Sequence, residues 1–94
     1  MEGETVRERA YEQGFWLEVG QLLCAARKAK GIKQASVGRH LGLGHQNVLQ
    51  AEKGICRIPL DRLIRWCLYV GVDPVELVTQ LLEQHPELKD RKAT

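Results

Sequence analysis

The segment from Lys33 to Gly54 restricts this chain more than any other. It reads as two short helices joined by a tight turn. Val37 and Leu41 lie four residues apart and share one helical face. Gly42 follows at once, where a left-handed helix stop needs a residue without a Cβ. Leu43 can pack back as the apolar plug of the turn, and Gly44 can cap the next helix, though more weakly than Ser or Thr. Val48 and Ala51 mark a second apolar face, and Gly54 stops that helix. His45, Gln46, Asn47 and Gln50 face the other way. They offer hydrogen-bond donors and acceptors without fixed charge, which is the chemistry that reads base edges in a DNA major groove.

Charge is distributed to match. The net charge is only +2. Between residues 20 and 60, however, seven basic residues stand against one acid, Glu52. The flanks on both sides are net acidic. A phosphate footprint requires this concentration of positive charge around a reading helix. Ninety-four residues allow one small domain with a modest core. No apolar run approaches the roughly 20 residues of a membrane span. The acidic start, Met1-Glu2-Gly3-Glu4, does not resemble a secretory signal. Cys24, Cys56 and Cys67 are odd in number and lack a Cys-x-x-Cys, so a reducing cytoplasm is the expected setting.

Along the chain, Thr5-Val6-Arg7-Glu8 has the form of a capping box. Gly14 and Gly20 argue against one unbroken helix to Lys30. The expectation is therefore a short helix or arm over 1–14, then a main first helix from about Phe15. Trp16, Val19, Leu22, Leu23 and Ala26 give that helix its buried stripe. Pro59 suits the first turn of a fourth helix, with Leu60, Leu63, Ile64 and Cys67 facing the core. Asp73-Pro74-Val75-Glu76 opens a fifth, ending near Gln84 because Pro86 disfavours helix at His85. The domain is expected over 15–85 and a mobile charged tail over 86–94. The fold class is all-α, with five helices.

Gln34, Val37, Gly38, Gly42, Leu43, Val48, Glu52 and Gly54 fall at the spacings of one known motif. In this the chain resembles the phage repressor and Cro (Xre-like) family of helix-turn-helix proteins, over about Val19 to Leu82. It departs from the family at Lys33, where Ser or Thr usually caps, and at Gly38, where Ala is usual. The resemblance implies a lambda-repressor-like domain that binds double-stranded DNA. It implies base reading by His45, Gln46 and Gln50, and phosphate contact by Gln34 and Asn47. Lys33, Arg39, Lys53 and Arg57 are further phosphate candidates, Arg57 foremost because its fork can hold a phosphate at two points. Arg27 and Glu52 occupy the positions of a structural ion pair in similar repressors.

Trp66 and Tyr69 on the fourth helix lie off its expected stripe. Val75, Leu77, Val78, Leu81 and Leu82 give the fifth helix more apolar surface than one contact needs. These seven residues are the expected homodimer face, which would demand an inverted-repeat operator. The function expected is that of a sequence-specific transcriptional regulator, a repressor. The alternative is a protein-interaction module, antitoxin-like or an adaptor, that keeps the fold without reading bases. His40, His45 and Cys56 match no recurring zinc spacing, so no metal or cofactor is expected. No nucleophile–base constellation points to an enzyme, and no small-molecule substrate is evident.

Overall fold

The computed structural model describes residues 6–88, with side chains from residue 14 onward, residue 87 apart. It is all-helical. The order is α1 (Val6–Ala29), α2 (Gln34–Leu41), α3 (His45–Glu52), α4 (Leu60–Val70) and α5 (Pro74–Gln84). A 3₁₀ turn, Pro86–Leu88, follows. There is no strand among the described residues. The capping role of Thr5 and the charged residues 89–94 lie outside the described residues.

Helix α1 corrects the first expectation. It runs unbroken through Gly14 and Gly20. Gly20 is a close-approach site. A Cβ there would lie 2.5 Å from the Glu52 carbonyl oxygen and 2.6 Å from that of Ala51. The helix-propensity loss of about 1 kcal/mol for glycine is thus offset by bringing the α1 backbone directly against the end of α3. Gly54 makes a matching contact. Its φ of 76° suits glycine, and any Cβ would meet the Leu17 backbone.

Helices α2 and α3 form the turn unit read from the sequence. Lys33 precedes α2 with extended dihedrals (φ −85°, ψ 153°) and no side-chain cap bond. Gly42 adopts the left-handed conformation, φ 73°. The Leu43 amide donates to the Gly38 carbonyl at 2.7 Å. A Cβ on Gly38 would lie 2.7 Å from the Leu43 carbonyl oxygen, so the turn folds back onto a position that has room only for hydrogen. Asp73 caps α5, its Oδ1 accepting from the Val75 amide at 2.9 Å, and Pro74 takes the first turn.

The core draws on every helix. Val19 and Leu23 meet Val37 and Leu41, Val48 and Ala51, then Trp66, Cys67, Val70, Leu77 and Leu81, with Ile58 from the connecting loop. Here the assignment of α4 needs correction. Trp66 is fully buried, and it is the largest of the fully buried side chains. Leu60 and Ile64, expected inside, are 69% and 38% exposed. The helix is turned so that Trp66, Cys67 and Val70 point inward. Leu60, Ile64 and Leu68 form the outer row. Both rows are apolar at helical spacing, so the sequence period alone leaves the phase open. Helix α5 behaves likewise. Leu77 and Leu81 belong to the core, while Val75 and Val78 are exposed and Leu82 is half-buried. Of the seven residues expected at a dimer face, Trp66, Leu77 and Leu81 are therefore excluded by burial. Tyr69 is half-buried, its ring stacked on His40 with centroids 4.3 Å apart.

The C-terminal boundary also moves outward. His85 Nε2 lies 2.8 Å from Glu18 Oε1, and its ring sits edge-on to Phe15. Leu88 is half-buried in the 3₁₀ turn, which continues the ordered chain beyond the expected limit at 85.

Candidate functional site

Helix α3 has two faces of opposite character. Val48, Ala51 and Glu52 are buried, whereas His45, Gln46, Asn47 and Gln50 are exposed. The two-faced pattern follows from the 3.6-residue period acting on an eight-residue helix. The inward face fixes the helix, and the outward one is open to solvent.

The helix is fixed chiefly by Arg27. Its Nε donates to Glu52 Oε2 at 2.7 Å and its Nη2 to Oε1 at 3.1 Å, a two-point fork between α1 and α3. Its Nη1 donates to the Ile32 carbonyl at 2.9 Å, tying down the loop before α2. Nη2 also reaches Cys24 Sγ at 3.6 Å. Arg27 and Glu52 are 8% and 6% exposed. Hydrogen bonding to Glu52 raises the Arg27 pKa above its ordinary value, against the opposing effect of burial. Glu52 is thereby the structural anchor of the helix and offers no negative charge at its surface.

Gln34 extends this network. Its Nε2 donates to Glu52 Oε1 at 3.0 Å, and its Oε1 lies 2.8 Å from His45 Nε2. A carboxylate only accepts, so the amide nitrogen faces Glu52 and the amide oxygen faces His45. His45 must then donate from Nε2. Its neutral form is left with Nδ1 as an acceptor. The phosphate role expected of Gln34 is thus joined by another: it links the ion pair to the first residue of α3. No local period signals a bond between positions 34, 45 and 52, so it is illegible in the sequence.

The cations expected around α3 lie at the surface. Lys33, Arg39, Lys53 and Arg57 are all exposed. Arg39 Nη2 donates to Ser36 Oγ at 3.3 Å. An open cleft of about 640 Å³ lies where α1, α2 and α3 converge, and Lys28, Lys33, Lys53 and His45 line it. Between residues 20 and 60 the single acid is Glu52. Because that acid is buried, the exposed surface of this stretch carries fixed positive charge alone. Arg65 is a further residue that sequence reading missed. Its Nη2 donates to the His40 carbonyl at 2.8 Å, closing the end of α2 from α4.

Among the described residues no group of three or more His, Cys, Asp or Glu side chains could hold a metal ion. No described helix is long and apolar enough to cross a membrane. No protein-family model matches this sequence, and no curated protein and no solved structure matches it either.

Proposed function

We propose that this chain is a sequence-specific DNA-binding transcriptional regulator, a repressor, that reads a major groove with the outward face of α3. The observation that carries the reading is that face itself. Four uncharged hydrogen-bonding side chains stand on a helix locked from behind by Arg27. Lys28, Lys33 and Lys53 share a cleft with His45, and there is no exposed acid between residues 20 and 60. Such a surface suits base edges flanked by phosphates. His45, Gln46 and Gln50 take the base-reading positions. Lys33, Arg39, Asn47, Lys53 and Arg57 take the backbone. The bond from Gln34 makes the reading specific. With Nε2 committed as donor, neutral His45 offers an acceptor at Nδ1, which favours a base presenting an exocyclic amine, adenine or cytosine.

The reading includes a homodimer at an inverted repeat. Leu60, Ile64 and Leu68 on α4, with Val75 and Val78 on α5, are the exposed apolar surface left for a second copy. Regulation in the cytoplasm of a bacterium, by a phage- or plasmid-borne gene, is the setting in which such a protein acts.

The test is selection of bound sequences from a random DNA pool at about 0.15 M salt. The expected result is an enriched inverted repeat with half-sites about one helical turn, roughly 34 Å, apart. Affinity should fall steeply with salt. His45→Ala should relax the preference at one base pair and leave the others. No enrichment by a well-folded sample overturns the proposal. The exposed apolar row would then favour the second reading, a protein-interaction module.

A further inference from the structure

A chain of four side chains runs from α1 to the outward face of α3, and it fixes the hydrogen-bond sense of its last member. Arg27 donates to both oxygens of Glu52, at 2.7 and 3.1 Å. Gln34 Nε2 donates to Glu52 Oε1, so Gln34 Oε1 is the atom 2.8 Å from His45 Nε2. An amide oxygen only accepts, so His45 Nε2 carries a hydrogen whether the ring is neutral or charged. Protonation of the ring therefore acts at Nδ1. That nitrogen makes no hydrogen bond among the described residues, and its side chain is exposed. Neutral, Nδ1 accepts; protonated, it donates. The ring stays tethered through Nε2 in both states, and only the sense of its other nitrogen reverses.

This reversal matches a property of the major groove. Adenine presents an amine donor where guanine presents a carbonyl acceptor, and cytosine and thymine differ in the same way. A transition at one base pair thus exchanges donor for acceptor without moving the contact. We propose that His45 reads one base pair in a pH-dependent way. Neutral, it selects adenine or cytosine; protonated, it selects the transition partner, guanine or thymine. The proposal rests on the reading of α3 as the base-reading helix. Imidazole changes charge between about pH 5 and 8. The ionisable groups that share the cleft with the ring are Cys24, Arg27 and Lys28 from α1, Lys33 ahead of α2, Glu52 at the end of α3 and Lys53 after it. Arg27 and Glu52 are paired with each other, which leaves the three lysines. Phosphates laid along them bring negative charge to the ring and favour its protonated form in the complex. Gln46, Asn47 and Gln50 do not titrate, so the rest of the face keeps one preference at every pH.

The test is selection from a random DNA pool at about pH 8 and about pH 5.5 in otherwise identical buffer. The expected result is one position per half-site at which adenine gives way to guanine, or cytosine to thymine, by about fivefold or more at the lower pH. The other positions keep their bases, which also shows that the fold is intact there. In His45→Gln the base at that position should no longer change with pH. Gln34→Ala frees the ring to present either nitrogen, so it should flatten the preference at about pH 8. A second readout needs no DNA. The ¹⁵N spectrum of the histidine rings, with His45 assigned by its loss in His45→Gln, should show the neutral ring with its hydrogen on Nε2. The proposal is overturned if the selected base is the same at both pH values or if the change persists in His45→Gln. Neutral His45 with its hydrogen on Nδ1 overturns it too. No enrichment at either pH removes the base-reading proposal and this one with it, whereas enrichment that ignores pH removes this one alone. Because both primary readouts use the unaltered protein, failure of a variant to fold leaves the test intact.

Discussion

The seam between α1 and α3 and the packing around Trp66 are both out of water, yet they are built from opposite materials. Arg27 and Glu52 are charged and less than a tenth exposed, and every nitrogen of the guanidinium has a partner. Around Trp66 the partners are hydrocarbon, and the one polar atom of the side chain has no acceptor among the described residues. The contrast separates two tasks. Hydrophobic burial holds elements together with little directional demand. A two-point ion pair with hydrogen bonds on all sides sets the direction of a helix, at a large desolvation cost. The charged seam lies behind the candidate reading face and the apolar one behind the rest of the bundle.

The sharpest way to break this comparison is to truncate both sides. Trp66→Ala removes the largest fully buried side chain and should lose about 3–5 kcal/mol in urea unfolding. A residue whose only role was at a dimer interface would leave the unfolding of the monomer untouched. Glu52→Ala should approach the same figure, about 3–5 kcal/mol, by stranding the Arg27 charge. Replacing the pair together, Arg27→Met with Glu52→Leu, should lose less than Glu52→Ala alone, because no charge is left buried. If the double replacement is the worse of the two, the pair holds the fold by more than charge balance.

Smaller effects sharpen the picture. Gly38→Ala would normally strengthen a helix, but its methyl meets the Leu43 carbonyl. A net loss of about 1–3 kcal/mol in thermal unfolding is expected. Gln34→Ala should lose only about 1 kcal/mol. Its larger effect should be on ¹⁵N relaxation at His45, whose ring loses its tether. Val75→Ser, at a side chain 72% exposed, should change monomer stability by less than about 0.5 kcal/mol. Sedimentation at several concentrations would then show whether it weakens self-association, as the proposed dimer requires.

The thiols divide in the same way. Burial pushes the Cys67 thiol up, and a raised pKa means less reactive thiolate at neutral pH. Exposed Cys56 should react with an aromatic disulfide reagent within minutes, and Cys67 only on unfolding.

The turn unit was legible because its signals are local. Gly42 needs a positive φ, and Val37, Leu41, Val48 and Ala51 repeat at helical spacing. The start of α5 was equally plain from Asp73 and Pro74. What escaped has a common physical origin. The phase of α4 was ambiguous because Leu60, Ile64 and Leu68 repeat as regularly as Trp66 and Val70. The continuity of α1 was missed because Gly20 weakens a helix locally but is needed by a contact some thirty residues away. The bonds of Gln34 were missed because they cross from α2 to both ends of α3, 11 and 18 residues along the chain. In each case a tertiary contact decided between options that the local sequence left equal.

The backbone contact of α1 with the end of α3, at Gly20 and Gly54, bears on how this molecule could change over generations. No side chains intervene there to absorb a change in size, so the pose of α3 is gauged by main-chain atoms. The side chains of Gln46, Asn47 and Gln50, standing outside, make none of the side-chain hydrogen bonds that hold the fold among the described residues. Variation at those three positions is therefore nearly uncoupled from stability. A descendant could acquire a new binding preference in single steps without first having to rebuild its scaffold.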